Sequence, residues 1–252
     1  MASRDEIVNY LDELLEPARF EDMGPNGLQV PGAETVTEVV TGVSAQLELF
    51  QAAAGRPGAL VLCHHGMFWN FQPRSLDETA KRRLRTLFDA ELSLAAYHLP
   101  LDAHPEVGNN ALICSGLGFE RSEPFGEAGG ATIGWIARSN QGVPASELRE
   151  RCATLFGQEP FVWDAGPEVV HSVGVVSGGA ASMFRAAAAA GLDAFLTGEP
   201  AEHTMADARE YGTHFIAAGH YATETLGVRR LGELLAERFA VQHRFVPIPN
   251  PI

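Results

Sequence analysis

The stretch Ala59-Leu-Val-Leu-Cys-His64-His65-Gly66 joins a short apolar run to an adjacent pair of histidines. An apolar run of this length, bounded by turn-forming residues, predicts a buried strand. Because side chains alternate along a regular strand, the two imidazoles would point to opposite faces. Gly66 can relax the chain at the strand end and let both imidazoles approach one cavity. The pair by itself leaves two interpretations open, a structural one and a metal-binding one.

Alternating strand and helix patterns surround this stretch and predict an α/β fold with at least partly parallel strands. Short apolar or β-branched runs predict strands at 36–43, 59–63, 93–97, 131–137, 173–177, 194–197 and 214–218. Helical spacing of apolar residues, with a capping box in the first element, predicts helices at 3–15, 45–54, 76–90, 105–117, 144–156, 180–190, 202–211 and 221–239. Turn-forming residues predict a loop at 20–31.

A shift toward Gly, Glu and Pro around 123–130 indicates a boundary between two lobes, at residues 1–125 and 126–252. In the second lobe, Ser177-Gly-Gly-Ala180 separates a predicted strand from a predicted helix. Such a turn can present backbone N–H groups to an anion. It lacks a full phosphate-binding motif, however, so we favour a tight strand-to-helix connection.

The charge of the 252-residue chain argues against broad classes of partner. It carries 18 Lys and Arg against 32 Asp and Glu, a formal net charge of −14. Because phosphate contacts need clustered cations, we do not expect general binding to nucleic acids or anionic membranes. The dense basic run Lys81-Arg-Arg-Leu-Arg85 lies within a helical pattern. We interpret it as a solvated helix face rather than as a phosphate contact.

Cysteine usage and hydropathy indicate the compartment. Cys63, Cys114 and Cys152 are scattered and form no CxxC motif, which suggests a reducing environment. Cys63 precedes the histidine pair but is expected to be a buried wall residue rather than a ligand. No apolar run reaches the roughly 18 residues that a membrane span requires, and no secretion signal is recognised. We therefore expect a cytoplasmic protein.

A second candidate ligand is Asp102, in the segment His98-Leu-Pro-Leu-Asp102-Ala-His104. It lies just past a predicted strand, in a loop that prolines on both sides stiffen. A carboxylate held in this way suits a divalent cation, but Asp is also a strong N-cap for a following helix. Asn109 and Asn110 are expected to cap or to hydrogen-bond locally.

The third segment places His220 and Glu224 four residues apart, on one face of a predicted helix. Imidazole and carboxylate donors together suit Zn, Fe, Mn or Co rather than Ca or Mg. Five ligands are too many for one tetrahedral zinc with an open position, so they predict two divalent ions per chain with one carboxylate bridging them. The predicted ligands are His64, His65, Asp102, His220 and Glu224.

Three residues near these ligands are candidates for indirect roles. His98, His104 and Glu199 are expected to support the ligands or to face the substrate, because metal-bound histidines usually have hydrogen-bonded partners. The opposing interpretation is an α/β fold in which all of the histidines are structural.

Four motifs are spread in order over nearly the whole chain: 26–30 (NGLQV), 64–69 (HHGMFW), 98–110 (HLPLDAHPEVGNN), and 196–199 (LTGE) with 219–224 (GHYATE). Together they resemble the NIF-three-like proteins, also called GTP cyclohydrolase I type 2 homologues, in their short bacterial YbgI-type form. One departure is the stretch Asp22-Met-Gly-Pro-Asn26, which is longer than the compact pattern of many members and leaves its role in the cavity open.

The resemblance implies a dinuclear centre. By motif position, His64, Asp102 and Glu224 would hold one ion. His65, His220 and the shared Glu224 would hold the other.

It also implies two interlinked α/β lobes, with the metal site in the cleft between them. The C-terminal helix, about 220–240, would return its two ligands to the site of the first lobe. The resemblance further implies a ring-shaped homohexamer.

The activity implied is hydrolytic. A metal-bound hydroxide would open the imidazole ring of GTP, release formate and lead to dihydroneopterin triphosphate. His98 or Glu199 would then act as a proton shuttle. The partner would be a small molecule, a nucleotide in this interpretation. The alternative is a non-catalytic metal-binding or regulatory scaffold, whose metal site would lack an open position.

Overall fold

The computed structural model describes residues 2–56 and 58–252, which fall into two compact units. The first unit contains the chain up to Leu101 and then Gly227–Ile248, and the second contains Asp102–Leu226 and Pro249–Ile252. The lobe boundary expected between residues 125 and 126 lies within the second unit. There, Gly129 and Gly130 form the turn of a β-hairpin with positive φ angles, which explains the local glycine content.

The secondary structure alternates strands and helices, and it confirms the predicted α/β class. The strands are β1 (Ala2–Ser3), β2 (Gly27–Val30), β3 (Thr35–Val36), β4 (Glu38–Ser44), β5 (Ala59–His65), β6 (Ser93–Ala96), β7 (Glu120–Ala128), β8 (Ala131–Pro144), β9 (Phe161–Trp163), β10 (Val169–Val175), β11 (Ala194–Thr197), β12 (His214–Ala217) and β13 (Gln242–Phe245). The helices are α1 (Arg4–Leu15), α2 (Leu47–Ala53), α3 (Glu78–Asp89), α4 (Leu99–Ala103), α5 (Asn109–Gly116), α6 (Ala145–Phe156), α7 (Phe184–Ala189), α8 (Thr204–Tyr211), α9 (His220–Thr223) and α10 (Thr225–Phe239).

The first unit is built on a five-stranded sheet in the order β13-β4-β5-β6-β2. Four of these strands are parallel, and β2 pairs antiparallel with β6. All five apolar residues of β5 are buried, as expected for a strand covered on both faces. The parallel pairing brings the carboxyl ends of β4, β5 and β6 to one edge. Ser44, His65 and His98 lie at or just beyond those ends.

The second unit contains a six-stranded sheet in the order β7-β8-β10-β11-β12-β9. Its central strands β10, β11 and β12 are parallel and the outer ones antiparallel. Phe184 and Phe215 pack edge-on at a centroid distance of 5.6 Å, and both contact Phe195 at 6.2 Å. Ligand sites in such sheets form beyond the carboxyl ends of parallel strands. Glu199 and His220 lie there, after β11 and β12.

Two predictions of local structure were wrong. The loop predicted at 20–31 contains β2, a short edge strand that carries little apolar pattern. The helix predicted at 221–239 breaks at Glu224, between α9 and α10. The break has a local cause, since the Thr223 hydroxyl donates to the His220 carbonyl and accepts from the Gly178 N–H, and such side-chain bonds compete with helical ones.

The helices were also compared with the requirements of a membrane span. Over residues 2–56 and 58–252, none combines the length and the apolar character needed to cross a bilayer.

Tyr97 anchors α1 to the end of β6, and its loss tests this link. The buried Tyr97 hydroxyl donates to the Asp12 carboxylate at 2.6 Å. We expect Tyr97→Phe to lower the free energy of unfolding by about 1.5–3 kcal/mol, because hydrogen bonds to charged groups contribute on that scale. Equilibrium urea unfolding measures the change.

The matched control is Tyr10→Phe, on α1, the helix that also carries Asp12. The Tyr10 ring packs edge-on against Phe239, a contact that phenylalanine retains. An equal loss of stability in both variants would show that the hydroxyl of Tyr97 contributes nothing specific.

Candidate metal centre

Three histidines of the first unit gather at the carboxyl ends of β5 and β6. The ring centroids of His64 and His65 are 4.8 Å apart, and the His98 centroid lies 5.0 Å and 5.6 Å from them. Each residue offers a ligand nitrogen within 4.8 Å of the other two, so the group could hold a metal ion. The strand itself continues through His65, two residues further than predicted.

Hydrogen bonds orient the three rings. The Nδ1 atom of His64 lies 3.0 Å from the Tyr97 carbonyl oxygen, which can only accept, so Nδ1 carries the hydrogen. The same assignment holds for His98, whose Nδ1 donates to the Asp22 carboxylate at 2.7 Å. His65 Nδ1 lies 3.1 Å from the Ser44 hydroxyl. These partners assign Nε2 as the nitrogen that would bind metal in His64 and His98, and they fix the orientation of His65.

The N-terminal loop, whose role the sequence left open, holds His98 in place. Asp22 accepts from His98 Nδ1, from the Leu99 N–H at 3.0 Å and from Asn26. The Asn26 side-chain oxygen accepts the His98 N–H at 2.8 Å. Burial alone would raise the pKa of Asp22, but these hydrogen bonds and the charge of His98 lower it below its ordinary value. Asp22 is therefore a carboxylate at neutral pH.

Gln29 ties the same loop to the chain after the histidine pair. Its side-chain oxygen accepts the Met67 N–H at 2.8 Å, and its nitrogen donates to the Pro25 carbonyl at 2.7 Å. A Cβ on Gly66 would lie 2.2 Å from the Gln29 nitrogen. A Cβ at position 66 would therefore crowd the Gln29 side chain, so glycine there permits the close packing between the two segments.

In the second unit, Asp102 lies buried on the one-turn helix α4, not in the predicted loop. Pro100 is compatible with this helix because it falls in the first turn, where proline is tolerated. One Asp102 oxygen accepts from Asn109 and from the Ser177 hydroxyl, both at 2.9 Å. Gly108, not Asp102, is the N-cap of α5, so the capping alternative is wrong. Neither Asn109 nor Ser177 had been assigned a role toward Asp102.

His220 lies between two carboxylates of the second unit. Its Nδ1 makes a short hydrogen bond with Glu199, and its Nε2 lies 3.1 Å from the Glu224 carboxylate. Burial alone would lower the pKa of His220, but the hydrogen bonds and charges of Glu224 and Glu199 outweigh it and raise the pKa to about 9. Without a metal, His220 is therefore protonated at neutral pH.

Two glycines shape the backbone around these side chains. A Cβ on Gly178, whose φ is +64°, would lie 2.5 Å from a Glu224 oxygen. A Cβ on Gly198 would lie 2.6 Å from the His220 Cα. Both turns can therefore approach the His220–Glu224 pair only as glycine.

The turn at Ser177–Ala180 is a tight connection, as favoured from the sequence. The Ser177 N–H donates to Asn110 at 2.7 Å, and the Gly178 and Ala180 N–H groups donate to threonine hydroxyls at 3.1 Å. Donors bound in this way do not form an anion site.

His104 is hydrogen-bonded within its own turn. Its Nδ1 accepts the N–H groups of Glu106 and Val107, both at 3.1 Å, and so it stabilises its own turn. Cys63 is buried, and burial raises the pKa of its thiol, which fits the expected wall residue rather than a ligand.

The donors within each unit fit a borderline divalent ion. The first unit supplies the three imidazoles described above, and the second supplies His220 with the Glu224 carboxylate. Nitrogen and carboxylate donors are those that Zn, Fe, Mn and Co prefer. These histidine and glutamate groups could therefore bind metal.

Comparison with known proteins places this geometry in a family. The model of Duf34/NIF3 (NGG1p interacting factor 3) matches residues 2–251. A Pseudomonas aeruginosa protein named GTP cyclohydrolase 1 type 2 homolog is 42% identical over 245 residues, which span 97% of each chain. The Escherichia coli (strain K12) protein of the same name is 41% identical over 254 residues, which span 98% of each chain.

Solved structures show the same fold. A structure described as "protein ybgI, unknown function" is 39% identical with a TM-score of 0.93, and TTHA1606 from Thermus thermophilus is 36% identical with a TM-score of 0.89; in both, the match covers 100% of each chain. Reduced HcgD from Methanocaldococcus jannaschii, 20% identical with a TM-score of 0.85, shares the fold alone. The resemblance seen in the four motifs is confirmed, and the chain belongs to the Duf34/NIF3 family.

Proposed function

We propose that the chain is a hydrolase that depends on two divalent metal ions. His64, Asp102 and Glu224 would hold one ion. His65, His220 and the shared Glu224 would hold the other. The observation that carries the proposal is the group of three histidines at the ends of β5 and β6, with rings oriented by Tyr97, Ser44 and Asp22.

Family membership supports the reaction class. The curated relatives are named GTP cyclohydrolase 1 type 2 homologs, so we propose a nucleotide substrate of the GTP type. Bound divalent metals would supply a more acidic water and a Lewis acid for such a reaction. In the ring opening, water adds to the carbon between the two imidazole nitrogens, one C–N bond breaks, and the departing nitrogen takes a proton. A second water would then add to the resulting formamide, break its remaining C–N bond with protonation of that nitrogen, and release formate.

The chain supplies two candidates for that proton transfer. His98 is held by Asp22 through Nδ1, so Nε2 is the atom that would exchange a proton. Glu199 pairs with His220 and would act through its other oxygen. A space of about 10 Å³ lies against His64 and His98, enough for one water molecule. Because His98 also lies within the three-histidine group, loss of metal in His98→Ala would identify it as a ligand instead.

A non-catalytic metal-binding or regulatory scaffold is the second candidate. It is favoured by the small space against His64 and His98, about 10 Å³, which has room for little more than one water molecule and not for a substrate. We propose in either case that the chain assembles as a homo-oligomer, a toroidal hexamer by family resemblance. Light scattering of the purified protein measures that assembly.

A formate assay tests the GTP assignment. We expect metal-loaded protein to release formate from GTP, and protein treated with EDTA to release none, because the reaction requires the metal. Absence of formate at high enzyme concentration with full metal occupancy would remove the GTP assignment.

Metal content tests the division of ligands. We expect His65→Ala to bind one ion per chain instead of two, because His65 is assigned to one ion only. Inductively coupled plasma mass spectrometry of protein purified without chelators measures the ratio. His203→Ala is the matched control, since this exposed histidine precedes α8 and should leave both ions in place. Two ions in His65→Ala would contradict the assignment.

The raised pKa of His220 predicts how metal affinity changes with pH. A metal must displace the His220 proton, which is bound below about pH 9. From pH 7 to 9 we expect the apparent affinity for Zn²⁺ to rise by about tenfold per pH unit and then to level off. Competition with a chelating dye measures it.

Glu199→Gln provides the comparison. It removes one of the two carboxylates that raise the pKa of His220. The apparent affinity for Zn²⁺ should therefore level off at a lower pH than in the wild type. An unchanged profile would show that the His220 proton does not control binding.

A further inference from the structure

A cavity of about 570 Å³ in the first unit lies along the loop after β5 and the first turns of α3. One side is formed by Met67, Phe68 and Trp69, and another contains Arg74 and Arg83. A volume of this size accommodates a small organic molecule. The metal ligands do not line it, so the proposed function leaves it unexplained.

The loop that borders the cavity is unusually long. It contains 12 residues, from Gly66 to Asp77, without helix or strand. Connections of that length within a compact unit are uncommon and are often binding loops. Residues 70–79 are all exposed, so burial of apolar side chains does not account for the loop.

Positive charge is concentrated at this point of a strongly acidic chain. Between positions 74 and 85 there are five Lys and Arg residues, out of 18 in the chain, against two acidic residues. The solvated helix face expected from the sequence fits Lys81, which pairs with Glu78 at 3.2 Å, and Arg85, which pairs with Asp89 at 3.3 Å. Arg83 differs from both.

The Arg83 side chain carries a buried nitrogen, Nε. Its Nε has no hydrogen-bond partner among the residues that the structure describes. A buried N–H in that state is unfavourable unless a ligand or water completes it. The N-terminus of α3 does not provide an anion site, because the Asp77 carboxylate already caps it by accepting the Ala80 N–H at 2.7 Å.

An aromatic wall joins the cavity to the three-histidine group. Trp69 stacks on Phe71 with ring centroids 5.8 Å apart and an interplanar angle of 17°. The Trp69 ring is nearly perpendicular to the His98 ring, with centroids 5.2 Å apart. Its centroid lies 6.1 Å from that of His65. A ligand in the cavity would therefore contact Trp69, whose ring also lies beside His65 and His98.

We propose that this cavity binds the phosphate group of a small phosphorylated molecule. Arg83 and Arg74 would contact the phosphate, because the guanidinium fork matches its oxygens. The Ser75 and Thr79 hydroxyls in the lining offer further donors, and the remainder of the ligand packs against Phe68 and Trp69. That the ligand is the substrate of the histidine centre rests on the proposed function; phosphate binding itself does not.

Titration calorimetry with inorganic pyrophosphate, on protein freed of metal with EDTA, tests the binding. Removing metal ensures that heat does not come from phosphate on an ion. We expect saturable binding that weakens about tenfold or more in Arg83→Gln and in Arg74→Gln, since each loses a charge-assisted hydrogen bond. A nucleoside monophosphate should bind more tightly than pyrophosphate if its base packs on the aromatic wall, and Trp69→Ala should remove that difference.

Arg82→Gln is the matched control. Arg82 is exposed, carries the same charge on the same helix and does not line the cavity, so its loss should change affinity by less than about twofold. Equal weakening in Arg82→Gln and Arg83→Gln, or no saturable binding in the wild type, would overturn the proposal. If Arg83→Gln does not fold by circular dichroism, the exposed Arg74→Gln decides.

The two proposals fail separately. Arg83→Gln should retain the metal content of the wild type, and His65→Ala should retain pyrophosphate binding. A wild-type chain that binds pyrophosphate but no metal would overturn only the proposed function.

Discussion

Parallel pairing of β5 with β4 and β6 is the constraint on which the first unit depends. It buries the apolar run completely and fixes which residues follow each strand at one edge of the sheet. The histidine pair ends the central strand of the three, so the sheet fixes where the backbone of both residues lies. The parallel strands of the second unit impose the same order on the chain segments that carry Glu199 and His220. The ends of paired strands thus determine where these candidate metal ligands lie in each unit.

The sequence predicted those parts of the fold that repeated burial determines. Runs such as 59–63 and 194–197 are apolar because both faces are covered, and they appear as strands where expected. Edge strands such as β2 and β13 escaped prediction because partial exposure leaves their sequences mixed. The break at Glu224 was missed for a different reason. It arises from hydrogen bonds of Thr223, while the apolar spacing continues unbroken on both sides.

The candidate site likewise contains residues that the sequence predicted and residues that it did not. Residues with ligand chemistry could be recognised from their types and spacing, and they remain predictions as metal ligands. Their supporting partners could not be recognised, because Asp22 and His98 are 76 residues apart and Ser177 and Asp102 are 75 apart. No local pattern connects such pairs. The unexplained length of the stretch at 22–26 was the available signal for the first of them.

The glycine turns beside His220 have a consequence for how the site tolerates change. Gly178 and Gly198 have no side chain that could bind a metal. Any side chain at either position would nevertheless occupy the space of the His220–Glu224 pair. A ligand can often be exchanged for another residue with a similar donor, whereas these positions admit a single residue type. The space around the His220–Glu224 pair therefore depends on the absence of side chains at these two glycines, and a search restricted to donor residues would overlook them.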